Sequence, residues 1–286
     1  MALGFGNALP FVPRGMSQGP VIQRLLDLYP GAAAAYSTRQ LNGAYPGAAL
    51  RVRRDSDNAE QDIGFAEGVL NEGALTTFVG AGSAFVTTWY DQSGNARHAT
   101  QTTAANQPRI VNAGVVFKKN GRVALDAVDQ YFSTAIPALP QPFTSFTVLD
   151  RRTTASGIDE TFFRAGTTGA GIGAVAFFNW GSQNGELGAL AGVYYQRGLT
   201  ALNATFSNAI VWNGAASVHS VNGVDFTVNL GPESLGENPN LLSRNVEAGR
   251  APANTAAHEM IFYPDNQASN RAAIEADIME HFGITP

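Results

Sequence analysis

Five Asn-Gly dipeptides, at 42–43, 120–121, 184–185, 213–214 and 222–223, constrain this chain more than any other feature. The dipeptide favours a tight two-residue turn with positive φ at both central residues, and the twist of that turn matches paired strands. The clearest case spans 218–228. A turn centred on Asn222-Gly223 sets Val221 opposite Val224 and His219 opposite Phe226. Val224, Phe226 and Val228 then share a face, because strand side chains alternate. His219 accordingly reads as a strand-face residue rather than a ligand. The 31 glycines supply further turns, and 44% hydrophobic against 14% charged residues indicates a folded body. A chain of 286 residues with this pattern fits one large all-β sandwich.

Two helices are expected to frame the strands. From Val21 to Tyr29 the apolar residues recur at helical spacing, and Pro30-Gly31 stops them. At the other end His258 to Tyr263 reads as a last strand. It is followed by a helix from Ser269 to Ile284 in which Ile274, Ile278 and Phe282 form one stripe, closed by Gly283. Residues 1–20 interleave glycine and proline with Leu3, Phe5, Leu9, Phe11 and Val12. That pattern predicts an extended arm that gains order by docking on a partner. The expected division is residues 1–30 as arm and short helix, for docking or oligomerisation, and residues 31–286 as the sandwich. No internal repeat or interdomain linker is visible.

A net charge of -5 and a pI near 5.4 argue against a nucleic-acid footprint. The adjacent Lys118 and Lys119 read as a solvated turn. Cysteine is absent, which removes disulfides and thiolate metal sites. The first residues lack a basic start, a long apolar run and a small-residue cleavage site, so no signal peptide is predicted. No apolar stretch is long enough for a membrane-spanning helix.

Chemistry is harder to place. The stretch Trp89-Tyr90-Asp91-Gln92-Ser93-Gly94-Asn95-Ala96-Arg97-His98 leads from an aromatic strand into a polar loop. Asp91, Ser93 and Asn95 carry oxygens suited to a hard cation, but the loop is short and weakly charged, and a turn held by its Asp and Asn side chains is the reading it favours. Histidines 98, 219, 258 and 281 show no ligand spacing, and His258-Glu259 lacks the second histidine of a zinc-protease helix. No metal or other cofactor is predicted. Asp159, Glu160, Glu186, Glu233, Glu237 and Glu259 are available carboxylates, yet strand spacing does not show which converge. A sugar site is the sharper expectation. Trp180 sits between Asn179 and the amides Gln183 and Asn184, and Tyr195 lies in a second aromatic cluster. An aromatic face can stack on a sugar ring while amides orient it.

The Trp89–His98 stretch, together with Tyr36-Ser37-Thr38-Arg39-Gln40-Leu41 and the segment from Val52 to Phe65, resembles the catalytic domain of the fungal α-L-arabinofuranosidase B family. It resembles more closely a set of phage-borne and bacterial proteins with the same opening. The closing strand and helix resemble the end of laminin G-like domains. The resemblance implies a concanavalin A-like jelly roll of two sheets over roughly residues 30 to 284. By the same resemblance the family's nucleophile falls at Gly169 and its acid/base loop at 241–246, which has no Asp. Glycine cannot attack an anomeric carbon. The expectation is therefore a non-enzymatic phage virion protein, a tail, fibre or capsid-decorating component made in the host cytoplasm. It would be a homo-oligomer attached through its arm to other virion proteins, and would present a lectin-like domain to host glycans. The alternative is an arabinofuranosidase-like hydrolase with a shifted catalytic pair.

Overall fold

The longest strands lie side by side at the centre of one sheet. In the computed structural model, which describes residues 23–152, 160–165, 173–178, 187–197, 203–242 and 254–286, Asn254–Tyr263 pairs with Phe143–Arg151. The latter pairs on its other side with Thr205–Trp212. Ser217–Val221 and Val224–Val228 extend this sheet at one edge, while Ala34–Ser37 and Leu125–Val128 line the other.

A second sheet runs from Glu60–Ile63 through Leu50–Arg54, Ala84–Trp89, Ala99–Thr100 and Phe132–Ser133. It continues through Asn240–Leu241, Glu160–Arg164, Val175–Phe178 and Leu187–Leu190 to Tyr194–Arg197. Arg109–Asn112 joins the sheets by pairing with both 125–128 and 84–89. All these pairings are antiparallel. The architecture is the expected all-β, jelly-roll-like sandwich.

The central strands are buried on both faces, and the structure shows why. Met260 and Phe262 point into the core between the sheets, with Tyr36, Trp89, Phe132, Phe143 and Trp212. Ile261 and Tyr263 point the other way. There they meet Phe146, Val148 and Ala35 beneath helices α1 (Leu25–Leu28) and α3 (Arg271–Phe282). A strand covered by a sheet on one side and by helices on the other reads as a continuous apolar run. The expected stripe of Ile274, Ile278 and Phe282 covers this outer face, and Gly283 closes α3 at φ +64.

A further helix, α2 (Glu72–Val79), departs from the sequence reading, which expected strands and turns throughout this part of the chain. Thr76, Thr77 and Val79 are β-branched and favour strands. Asn71 outweighs that preference by accepting a hydrogen bond from the Ala74 N–H at 2.9 Å, while Leu75 and Val79 are buried.

The Asn-Gly signals divide in an instructive way. At Asn120-Gly121 and Asn222-Gly223 both residues have positive φ and the flanking strands pair as hairpins. Val221 faces Val224 and His219 faces Phe226, as the sequence implied. Asn42-Gly43 joins no hairpin, and Asn213-Gly214 lies in a hairpin connection, between the paired strands 205–212 and 217–221, that is longer than a two-residue turn. Gly43 instead donates its N–H to the Asp27 carboxylate, and Gly214 opens a short 3-10 helix. Asn184-Gly185 lies outside the described residues. The shared face of the 224–228 strand is covered only at Val228, whereas Val224 and Phe226 are exposed. The Arg197 guanidinium lies over the Phe226 ring, 3.6 Å from its centroid.

His219 is wholly buried beside Asn208, with Nε2 2.6 Å from its side-chain oxygen. Burial, with Arg197 adding to it, pushes the imidazole down to about 3. The unfolded chain therefore binds a proton that the folded chain refuses between pH 6.5 and 3. Stability should be full above pH 6.5 and fall as the pH drops through that window, by at most about 1.4 kcal/mol per pH unit from this group. Urea denaturation at a series of pH values should show this slope reduced in His219→Gln. An unchanged slope in that variant would assign the acid sensitivity elsewhere.

Candidate functional site

The polar loop after Trp89 is a clamp. Asp91 is buried, and its carboxylate accepts four hydrogen bonds. Oδ1 takes the N–H groups of Ala35 at 2.8 Å and Ser93 at 2.9 Å. Oδ2 takes the Ser93 hydroxyl at 2.8 Å and the Arg97 N–H at 3.0 Å. Gln92 is equally committed. Its Oε1 accepts from the Leu41 N–H, and its Nε2 donates to the carbonyls of Ser37 and Arg39. Asn95 Nδ2 donates to the carbonyls of Ala32 and Ala33. Tyr36 donates its hydroxyl to the Arg97 carbonyl, and burial, then Asp91, raises its pKa. Residues 91–97 thus satisfy the backbone of residues 32–41. The Asp91 and Ser93 oxygens that the sequence offered to a cation are bonded to the protein's own donors.

Glu259 is a structural anion rather than a free carboxylate. It is fully buried and receives Arg39 through Nε at 2.8 Å and Nη2 at 3.0 Å, plus the Ser37 hydroxyl at 2.8 Å. Arg39 Nη1 reaches Asp277 at 2.7 Å. Burial works against the Arg39 charge, yet Glu259 and then Asp277 outweigh it and raise its pKa. The neighbouring His258 spans the Val123 carbonyl and Asp150.

Two other carboxylates, Glu233 and Glu237, lie on a loop that packs against residues 165 and 173. Segment 166–172, which includes Gly169, lies outside the described residues, but Ala165 and Gly173 bound it. Both press on the loop 231–238. A Cβ on Gly173 would fall 2.6 Å from the Ser234 carbonyl oxygen, and one on Gly236 would fall 2.8 Å from the Ala165 methyl. That loop is stitched down at several points. Ala174 donates to Ser234, Leu235 exchanges two backbone bonds with Leu139, and Gln141 Nε2 donates to the carbonyls of Gly231 and Glu233. Glu233 is half-buried with its side chain against Gly192, and Glu237 is exposed. Tyr194, two residues beyond Gly192, is 40% exposed.

Of the expected sugar site, Trp180, Asn179, Gln183 and Asn184 lie outside the described residues. So do residues 243–246 of the acid/base loop and residues 1–22 of the arm. Tyr195 is half-buried, packed on the core edge with its ring 5.7 Å from that of His219. Sequence reasoning named Glu233 and Glu237 among six carboxylates but had no means to single them out. Their loop meets residues 165 and 173 through Ser234 and Gly236, a packing of segments distant in the chain.

Comparison with known proteins bears on the first part of the chain and on the fold. A family model described as "Alpha-L-arabinofuranosidase B, catalytic" matches residues 27–124, the part that contains the clamp. A probable alpha-L-arabinofuranosidase B of Aspergillus clavatus is 42% identical over 74 residues, covering 25% of this chain and 15% of that protein. The alpha-L-arabinofuranosidase B of Penicillium canescens is 39% identical over 74 residues, with 25% and 16% covered. The chain is related to the arabinofuranosidase B catalytic domain. In fold, a GH54 α-L-arabinofuranosidase soaked with a cyclic sulfate inhibitor superposes with a TM-score of 0.67 at 16% identity, over 86% of this chain and 62% of that one. An arabinofuranosidase complexed with arabinofuranosyl-alpha-1,2-xylobiose gives 0.63 at 18% identity with the same coverage. The match thus spans about one sixth of the curated relatives and under two thirds of the solved chains.

These findings overturn the expectation of a non-enzymatic phage virion component made in a host cytoplasm. The matched region is that of a catalytic domain, and the matched relatives are Aspergillus and Penicillium enzymes rather than virion proteins. With that expectation falls the lectin-like tail or capsid fibre. Asp91→Ala should cost about 3 kcal/mol or more, because it leaves three backbone N–H groups without their acceptor. Asp91→Asn, which keeps one acceptor oxygen, should lose less. Chemical denaturation of both variants measures this. A cost below about 1 kcal/mol for the alanine variant would remove the clamp from its structural role.

Proposed function

We propose that this chain is a glycoside hydrolase domain of the α-L-arabinofuranosidase type, with a catalytic pair shifted from the positions of its relatives. The observation that carries this reading is the match of residues 27–124 to a catalytic domain, within a fold that follows the solved arabinofuranosidases over 86% of the chain. Glycoside hydrolysis needs two carboxyl groups flanking the scissile bond, one to protonate the leaving oxygen and one to attack or to activate water. Glu233 and Glu237 are our candidates, since their loop packs against both ends of segment 166–172. Tyr194, exposed beside that loop, offers an apolar ring for the sugar, with Tyr195 behind it. Stacking on tyrosine supplies affinity, and the carboxylates supply direction.

Purified protein should release 4-nitrophenol from 4-nitrophenyl α-L-arabinofuranoside. Glu233→Gln and Glu237→Gln should each lower kcat by roughly 10²–10⁴ while leaving the melting temperature unchanged. Tyr194→Ala should raise KM with a smaller effect on kcat. Turnover that survives both glutamine variants would move the pair elsewhere. Absence of turnover on aryl arabinofuranosides and on arabinan alike would overturn the hydrolase reading.

A further inference from the structure

A cavity lies far along the chain from loop 231–238. It has a volume of about 290 Å³ and is walled by the start of α1, the segment 39–40, the turn 67–69, Arg122 and the last turns of α3. This size is near the lower end for small-molecule sites, roughly 300 Å³, and suits a single sugar unit.

Three guanidiniums line it, those of Arg24, Arg39 and Arg122, facing the carboxylates of Glu67 and Asp277. The lining itself carries three positive groups and two negative, and Glu259 behind it is the main partner of Arg39. Arg39 is already held by Glu259 and Asp277. Among the described residues no ion pair engages the Arg24 or Arg122 side chain, so these two carry the available charge. Arg24 is held in place by the shape of its neighbour. Gly68 sits at φ +82, and a Cβ there would fall 2.3 Å from the guanidinium nitrogens. His281 completes the wall. Burial first, then Arg39, Arg122, His258 and Arg24, push its imidazole down to about 3, so it is neutral and able to accept or donate.

The mixture of groups narrows the ligand class. A phosphate dianion would meet two carboxylates in the same wall. A neutral sugar would leave the guanidiniums without a counter-charge. A ligand with one carboxylate and several hydroxyls uses every group present. Its carboxylate takes charge-assisted bonds from Arg24 and Arg122, and its hydroxyls donate to Glu67 and Asp277 and accept from Gln23 and Gln40. We infer that this cavity is a binding site for a uronic acid, the carboxylate-bearing form of a sugar. The inference stands apart from the hydrolase reading, because it uses none of the residues proposed for catalysis.

Isothermal titration of the full chain with glucuronate should show saturable binding, roughly tenfold or more tighter than glucose, acetate or inorganic phosphate. Arg122→Gln, on an exposed hairpin, should weaken glucuronate by roughly tenfold without lowering the melting temperature, and Arg24→Gln should do the same. In the complex the ligand carboxylate adds negative charge beside His281, so its imidazole NMR signals should titrate at higher pH than in the free protein. No heat at millimolar glucuronate, equal binding of phosphate or acetate, or affinity unchanged in both arginine variants would each overturn the proposal. Hydrolysis of aryl arabinofuranosides is unaffected by any of these outcomes, so the two readings fail separately.

Discussion

The buried carboxylate of Asp91 is the interaction on which the opening half of this molecule depends. A carboxylate out of water is costly unless its lone pairs are used. Here four donors use them, and three are backbone N–H groups from two separate segments. Gln92 and Asn95 extend the same arrangement to the carbonyls of residues 32–39. Residues 34–37 form a strand that pairs on one side with 259–262, so their position sets where the central sheet meets the loop. Tyr36 and Trp89, whose rings lie 5.8 Å apart, place the same junction at the core between the sheets.

Arg39 transmits that junction to the other end of the chain. It binds Glu259 on the last strand and Asp277 on α3, and its guanidinium lies over the ring of Phe282. A buried pair of this kind is weak evidence for net stability, because desolvation offsets much of its attraction. What it supplies here is position. It ties the beginning of the sandwich to the closing strand and helix and leaves Arg39 as one wall of the cationic cavity. Within the part of the chain that matches the arabinofuranosidase B catalytic model, the Asp91 clamp and the Arg39–Glu259 pair hold the fold together. The carboxylates proposed for hydrolysis lie beyond that part, on a loop held by Leu139, Gln141 and Ala174.

Local signals in the sequence were sufficient wherever the deciding partner lies within a few residues. The register at Asn222-Gly223, the stripe of Ile274, Ile278 and Phe282, and the glycine end of α3 all belong to that class. Helix α2 shows the limit even of local reading. Its β-branched residues point one way, and the cap at Asn71 with the burial of Leu75 and Val79 decides the other. Asn42-Gly43 shows the same limit, since Asp27, sixteen residues away, takes the Gly43 N–H and no hairpin forms.

The sequence by itself determined that this chain is an all-β sandwich with a helix before it and one after it, because turn chemistry and the period of apolar residues are properties of neighbouring residues. Only the tertiary structure decided which polar groups are structural and which face a site. Glu259 and Arg39 are separated by 220 residues, and Arg24, Arg122 and His281 come from opposite ends and the middle of the chain. Ser234 and Gly236, on the loop that carries Glu233 and Glu237, meet residues 173 and 165 only because segments distant in sequence pack together. A carboxylate carries no local mark of its future partner. Its role follows from the charges, donors and water that folding brings to it.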